Sequence, residues 1–231
     1  ITKVMNDFTK YEEYKKVESL RKKLLLDETE LTVEDFGAGS AKTNSDKRSI
    51  ASIARNAAKS KKFGQLMYRM IKHYGFKNIL ELGTSLGITT SYLATANPAA
   101  RVITMEGSEN IADVAQQNFN ELGLKNIELV RGNFDDTLQT VLKTMPSIDF
   151  AFIDGNHRQA PTEKYFNQLL PHIHPESILI FDDIHWSAEM EAAWKNIVAH
   201  EAVACDIDLF YIGIISFRKE FKEKQGFAVR F

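Results

Sequence analysis

The stretch Asn78-Ile79-Leu80-Glu81-Leu82-Gly83-Thr84-Ser85-Leu86-Gly87-Ile88 decides the fold. Its first five residues are mostly apolar and β-rich, the texture of a buried strand. Two glycines then punctuate a turn into a helical stretch over 88–96. The same unit repeats toward the C-terminus. Strand patterns at 101–105, 127–130, 148–153 and 177–181 alternate with helical patterns at 111–122, 134–143, 162–170 and 188–200. Such alternation predicts a parallel sheet with helices on both faces. Two closing β-rich runs, 204–210 and 212–218, have almost no connection between them, so they must pair as an antiparallel hairpin. The expected fold class is α/β: a doubly wound sheet of seven strands, mostly parallel, with an antiparallel C-terminal hairpin.

Upstream the texture is helical. Residues 7–27 are charge-rich and place Tyr11, Tyr14, Val17, Leu20, Leu24 and Leu25 at helical spacing. Asp35-Phe36-Gly37-Ala38-Gly39-Ser40, with polar residues on to Asp46, reads as a loop. Two further helices are predicted. One covers 49–59, with Ile50, Ile53, Ala54 and Ala57 inward; the other covers 61–74, with Phe63, Leu66, Met67, Met70 and Ile71 inward and Gly75 as its C-cap. Residues 1–75 thus read as an all-helical cap or lid, and 76–231 as the sheet domain.

Composition excludes several classes. The 231 residues are 44% hydrophobic and 26% charged with a net charge of −2, which offers no global attraction to nucleic acid or an anionic membrane. There is no basic platform interleaved with aromatics, so nucleic acid is not the expected partner. No apolar run reaches membrane-spanning length and the first residues carry no secretory apolar region, so a cytoplasmic location is expected. The lone Cys205 rules out a disulfide framework and a cysteine-cluster zinc site, and its place in a strand suggests a buried structural thiol.

Ligands of doubly wound sheets bind outside the carboxyl ends of the strands. After the first strand, Gly83 and Gly87 permit close approach to the backbone at a helix N-terminus, or serve a tight turn alone. After the second stands Glu106-Gly107-Ser108, where a carboxylate can accept hydrogen bonds from both hydroxyls of a ribose. After the third comes Asn133-Phe134-Asp135. There Asn133 or Asp135 reads a ring edge under Phe134, or simply caps the next helix. After the fourth and fifth come Asp154 and the pair Asp182-Asp183. Three carboxylates at adjacent strand ends repel unless something neutralises them, and a hard cation such as Mg²⁺ does so; the alternative for the pair is a helix cap.

These residues resemble the class I S-adenosylmethionine (SAM)-dependent methyltransferases, in particular the catechol-O-methyltransferase-like and macrocin-type O-methyltransferases. The resemblance runs from about residue 78 to 218 and implies a Rossmann-like fold. It implies that Glu81, Gly83 and Thr84, with Ser85 and Gly87 in the same turn, hold the methionine part of SAM. Glu106 with Gly107 and Ser108 would take the ribose, and Asn133 and Phe134 the adenine side. It further implies a divalent metal on Asp154, Asp182 and Asp183, with Asp154 also beside the cofactor and catalytic together with His157, the general base three residues past that aspartate. Imidazole suits deprotonation of a hydroxyl beside a cation. The activity implied is metal-dependent O-methylation of a small molecule. Two alternatives stand beside it, a metal-independent N- or O-methyltransferase and a SAM-binding protein without catalysis. The 35–40 loop and Trp186 are candidates for the acceptor pocket. From residue 47 to 62 the chain carries Lys47, Arg48, Arg55, Lys59, Lys61 and Lys62 and no acid. That run is either a solvated face or an electropositive lid toward an anionic acceptor or the SAM carboxylate. The N-terminal helix can dock on its own domain or on a second copy, which leaves a homodimer open.

Overall fold

The computed structural model describes residues 2–34 and 47–231; the expected 35–46 loop lies outside the described residues. The strands are β1 (Glu30–Thr32), β2 (Lys47–Ser49), β3 (Asn78–Leu82), β4 (Arg101–Glu106), β5 (Ile127–Arg131), β6 (Ile148–Ile153), β7 (Ile173–Asp182), β8 (Cys205–Asp208), β9 (Ile212–Ser216) and β10 (Gln225–Ala228). The helices are α1 (Thr2–Met5), α2 (Glu12–Leu24), α3 (Ile50–Asn56), α4 (Lys61–Tyr74), α5 (Ile88–Ala96), α6 (Glu109–Glu121), α7 (Phe134–Thr144), α8 (Gln159–Leu169) and α9 (Ala188–Ala199).

The main sheet has the order β10-β8-β9-β7-β6-β3-β4-β5. From β7 to β5 the neighbours are parallel, so five strands present their carboxyl ends on one edge. The chain winds outward from β3 through β4 to β5, then returns to lay β6 on the other side of β3. The crevice between β3 and β6 is therefore the switch point at which such sheets take ligands. The expected antiparallel hairpin is present as β8 and β9, and β9 also runs antiparallel to β7. The sheet has eight strands rather than seven, because β10 adds in parallel to β8 at the edge. Gly226, Phe227 and Ala228 are exposed there. An edge strand without a buried face leaves no hydrophobic alternation to read.

Buried side chains form two clusters. One joins α7, α8 and α9 to a face of the sheet through Leu138, Leu142, Tyr165, Phe166, Trp194 and Ile197. The other joins the opposite face to α2, α3, α4 and α5 through Val17, Ile53, Met67, Tyr92, Val102 and Phe150. Buried residues before and after residue 75 thus share one core. Helix α2 docks on its own domain, with Tyr14, Val17, Leu20 and Leu24 inward and the Tyr92 hydroxyl donating to Glu18 at 2.7 Å. Helix α4 lies close on α5, since a Cβ at Gly64 would sit 2.6 Å from the Tyr92 ring.

Two expectations for this region need correction. It is not all-helical, because β1 and β2 pair antiparallel, with Leu31 opposite Arg48. Three-residue strands of mixed polarity carry no periodicity to find. Helix α3 also stops at Asn56, three residues short of the predicted end, and Ala57 is exposed instead of buried. Gly75 caps α4 in the left-handed conformation with φ 68° as expected, and Cys205 is buried in β8. Among the described residues no helix is long and apolar enough to cross a membrane.

Candidate active site

The turn after β3 folds back over β4: the N–H groups of Gly83 and Thr84 both donate to the Met105 carbonyl at 3.0 Å. Gly83 has φ 103°, and a Cβ there would lie 2.0 Å from the carbonyl oxygen of Asp154. Gly87 has φ 78°, and a Cβ there would lie 2.4 Å from the Phe119 ring. Both glycines are thus demanded by conformation and by protein neighbours, and Gly83 ties the turn to the acid on β6.

Glu106, the last residue of β4, points back at this turn. Its carboxylate accepts the Ser85 N–H at 2.8 Å and the Ser108 N–H at 3.0 Å, one on each oxygen. Ser85 reaches it from a left-handed conformation, φ 49°. Beyond Gly107, the Ser108 hydroxyl is buried without a hydrogen-bond partner. A carboxylate pre-aimed across two strand ends beside an unsatisfied hydroxyl fits a ligand rich in hydroxyls and ring nitrogens, as a nucleoside is.

Glu81 lies beneath the turn with no exposure. One oxygen accepts Thr90 Oγ1 at 2.5 Å and Thr104 Oγ1 at 2.6 Å, and Thr104 in turn bonds Thr84 Oγ1 at 2.6 Å. The other oxygen is buried without a partner. Burial pushes the Glu81 carboxyl up to about 7, against the two threonine hydrogen bonds that lower it. On the far side of β4, Asn133 takes the capping alternative, accepting the Asp135 N–H at 3.0 Å. Phe134 stands against Tyr165 with ring centroids 6.0 Å apart. A Cβ at Gly155 would be 2.5 Å from the Phe134 ring, so that ring reaches across to the end of β6.

The acidic residues gather at the ends of β6 and β7. The Asp154 N–H donates to Leu82 O at 2.8 Å, which continues the β3–β6 ladder into the site. Asp182 closes β7 and is 1% exposed. Asp183 turns left-handed, φ 51°, and its N–H donates to Tyr211 O at 2.7 Å. That turn sends the two neighbouring carboxylates apart, Asp182 inward and Asp183 toward the surface. Donor atoms of Asp154, His157 and Asp182 all lie within 4.8 Å of one another. His157 Nε2 is 3.5 Å from Asp154 Oδ1. The Trp186 ring lies 5.9 Å from that of His157 and is half exposed, a wall for this pocket. Asp183 stands outside the convergent set but shares its counter-charge.

That counter-charge is Lys59. Its Nζ contacts Asp182 Oδ2 and lies 3.4 Å from Asp183 Oδ1. Burial pulls the lysine pKa down, but the fields of Asp154, Asp182 and Asp183 outweigh it and hold the ammonium charged. Burial raises the Asp154 carboxyl, with Lys59 opposing. It raises Asp182 further, because the Asp154 charge adds to desolvation there. Of the basic run, Lys47, Arg55, Lys61 and Lys62 are exposed as a solvated face would be, whereas Lys59 turns into the acids. The short link after α3 delivers it, and no local pattern marks this lysine among the six basic residues.

Residues 80–184 match the family model described as a methyltransferase domain. Over 126 residues the chain is 34% identical to a catechol O-methyltransferase of Niastella koreensis, covering 53% of this chain and 55% of that protein. The chain therefore spans a little over half the length of the curated relatives it matches. An O-methyltransferase from Bacillus cereus in complex with SAH superposes with a TM-score of 0.63 at 20% identity, covering 90% of this chain and 92% of that one. TomG, an O-methyltransferase from Streptomyces achromogenes in complex with SAM, gives 0.64 at 18% identity with 91% of each chain covered. These likenesses show a shared fold. With the glycine turn, the aimed Glu106 and the strand-end acids in place, residues 80–184 of this chain are similar in sequence to a methyltransferase domain, on a fold shared with O-methyltransferases.

Proposed function

We propose that this chain methylates a hydroxyl of a small-molecule acceptor, using SAM as donor and a divalent cation at the acidic end of the site. The observation that carries the reading is the placing of Glu106 and the Asp154–His157–Asp182 group on either side of β3. Two strand spacings, about 10 Å, separate β4 from β6, a span that suits a nucleoside at one end and its reacting group at the other. SAM supplies an electrophilic methyl on a sulfonium, and a cation such as Mg²⁺ supplies a Lewis acid for the acceptor oxygen.

The remaining work belongs to this chain's own residues. Glu106, aimed by a backbone N–H on each oxygen, accepts the ribose hydroxyls. Phe134 covers the adenine side, and the turn from Gly83 to Gly87 gives the methionine part close access to backbone. Asp154 and Asp182, with Asp183 beside them, supply the oxygens and charge that a hard cation requires. His157, against Asp154, takes the proton of the acceptor hydroxyl. Trp186 orients the acceptor.

One observation favours a second reading, without metal: the Lys59 ammonium already balances Asp182 and Asp183. Methyl transfer to a panel of hydroxylated small molecules, with and without chelator, separates the two. Loss of transfer in chelator, restored by Mg²⁺, supports the metal reading; unchanged transfer in chelator sinks it.

A further inference from the structure

We propose that Lys59 is a resident counter-ion that a divalent cation must expel from Asp182, so that loading the acid site releases the corner between α3 and α4. This rests on the metal reading of the same site.

The geometry makes the two occupants exclusive. Asp182 is fully buried, with the Lys59 ammonium against its Oδ2 and the Asp154 carboxyl beside it. Its compensation is the Lys59 ammonium, whose own side chain is 15% exposed. A buried carboxylate beside a second one is stable only while a cation is paired with it. A metal at Asp154, His157 and Asp182 would take up the same carboxylate that Lys59 contacts, and two cations a few ångströms apart in a partly desolvated pocket repel strongly.

The lysine's mounting converts that competition into a movement. Lys59 sits in the link between α3, which ends at Asn56, and α4, which begins at Lys61. The link is held locally by Ala57 N–H to Ile53 O at 2.8 Å and by the Phe63 and Gly64 N–H groups on Ser60 O at 3.1 Å. Ala57 and Ser60 are exposed. The Lys59 contacts are the ionic tie of this link to the end of β7, beside the packing of the Phe63 ring on Tyr211 at 6.1 Å at the start of α4. When Lys59 leaves, α4 stays anchored through Phe63 but the link before it loses its ionic tie to the sheet edge. The basic corner is then a latch over the acid pocket, shut without metal and open with it.

The test is calorimetric titration of Mn²⁺ into the full chain and its K59M and K59R variants, with hydrogen exchange of amides 57–64 in parallel. K59M should bind Mn²⁺ about tenfold more tightly or better, as removal of one nearby competing charge implies. K59R, which keeps the charge, should stay near the parent. In the parent, saturating Mn²⁺ should speed exchange at 57–64; in K59M those amides should already exchange fast and ignore the metal. Equal or weaker binding by K59M, or exchange in the parent indifferent to Mn²⁺, overturns the proposal while leaving the metal reading intact. No Mn²⁺ binding by the parent or by K59M overturns both. A SAM-induced thermal shift in K59M reports that the variant is folded. Should it fail to fold, exchange in the parent with and without Mn²⁺ decides.

Discussion

The two halves of the sheet's carboxyl edge are built in opposite ways. The half over β3 and β4 is closed by its own backbone. Gly83, Thr84, Ser85 and Ser108 N–H groups hold the turn and Glu106 in place, and Glu81 is sealed beneath among threonines. The half over β6 and β7 is an assembly of distant parts: Asp154 and His157 from one loop, Asp182 and Asp183 from another, and Lys59 from a helical layer 95 residues earlier than Asp154. The first half is pre-organised and carries little unbalanced charge. The second concentrates carboxylates that need a cation. The proposed binding and the proposed chemistry are therefore expected to be separable, with Gly83 as the seam, since its missing Cβ faces the Asp154 carbonyl.

The sharpest break between the halves is expected from D154A. Methyl transfer should fall by roughly three orders of magnitude, because the proposed Lewis acid at the acceptor oxygen would lose a ligand and His157 its orienting partner. SAM affinity, measured by calorimetry, should barely change; a parallel loss of SAM binding would show that the halves are one site. G83A strikes the seam. A left-handed φ of 103° and a Cβ 2.0 Å from a carbonyl oxygen should cost about 3 kcal/mol or more in denaturant unfolding, with SAM binding and turnover damaged together.

E81Q tests the sealed half through pH. The folded Glu81 carboxyl sits at about 7 against an ordinary 4.5. Between those values the native state holds a proton that the unfolded chain releases, so this residue makes stability fall as pH rises from about 4.5 to about 7. E81Q should match the parent near pH 4 and exceed it at pH 8 by as much as ~3 kcal/mol. Identical pH–stability curves for the two proteins would contradict the burial argument. The smallest effect belongs to G75A, far from both halves. Gly75 has φ 68° with nothing within 4 Å of an added Cβ, so the change should cost about 1 kcal/mol in thermal unfolding and leave SAM binding and transfer intact.

The same contrast explains what could be read from the sequence. The parallel sheet was legible because buried strands such as β6 are apolar on both faces and helices such as α4 repeat at helical spacing. The pairing of the glycine turn with Glu106 was legible because both lie in one β-α-β unit. Asp154 and Asp182 were legible as residues directly behind apolar strands. Their surroundings were not. That Asp182 points inward and Asp183 outward depends on one left-handed φ. That Lys59 reaches them depends on α3 ending early, at Asn56. Edge strand β10 and the β1–β2 pair escaped because neither buries a continuous face.

The central claim is that Glu106 anchors SAM while Asp154 serves only the transfer. Its most direct test is calorimetric titration of SAM into the parent chain, E106Q and D154A under one set of conditions. The expected result is saturable binding to the parent, about tenfold or more weaker binding to E106Q, as loss of charge-assisted hydrogen bonds implies, and near-parent binding to D154A. Absence of SAM binding by the parent, or affinity that survives E106Q and collapses in D154A, would contradict it.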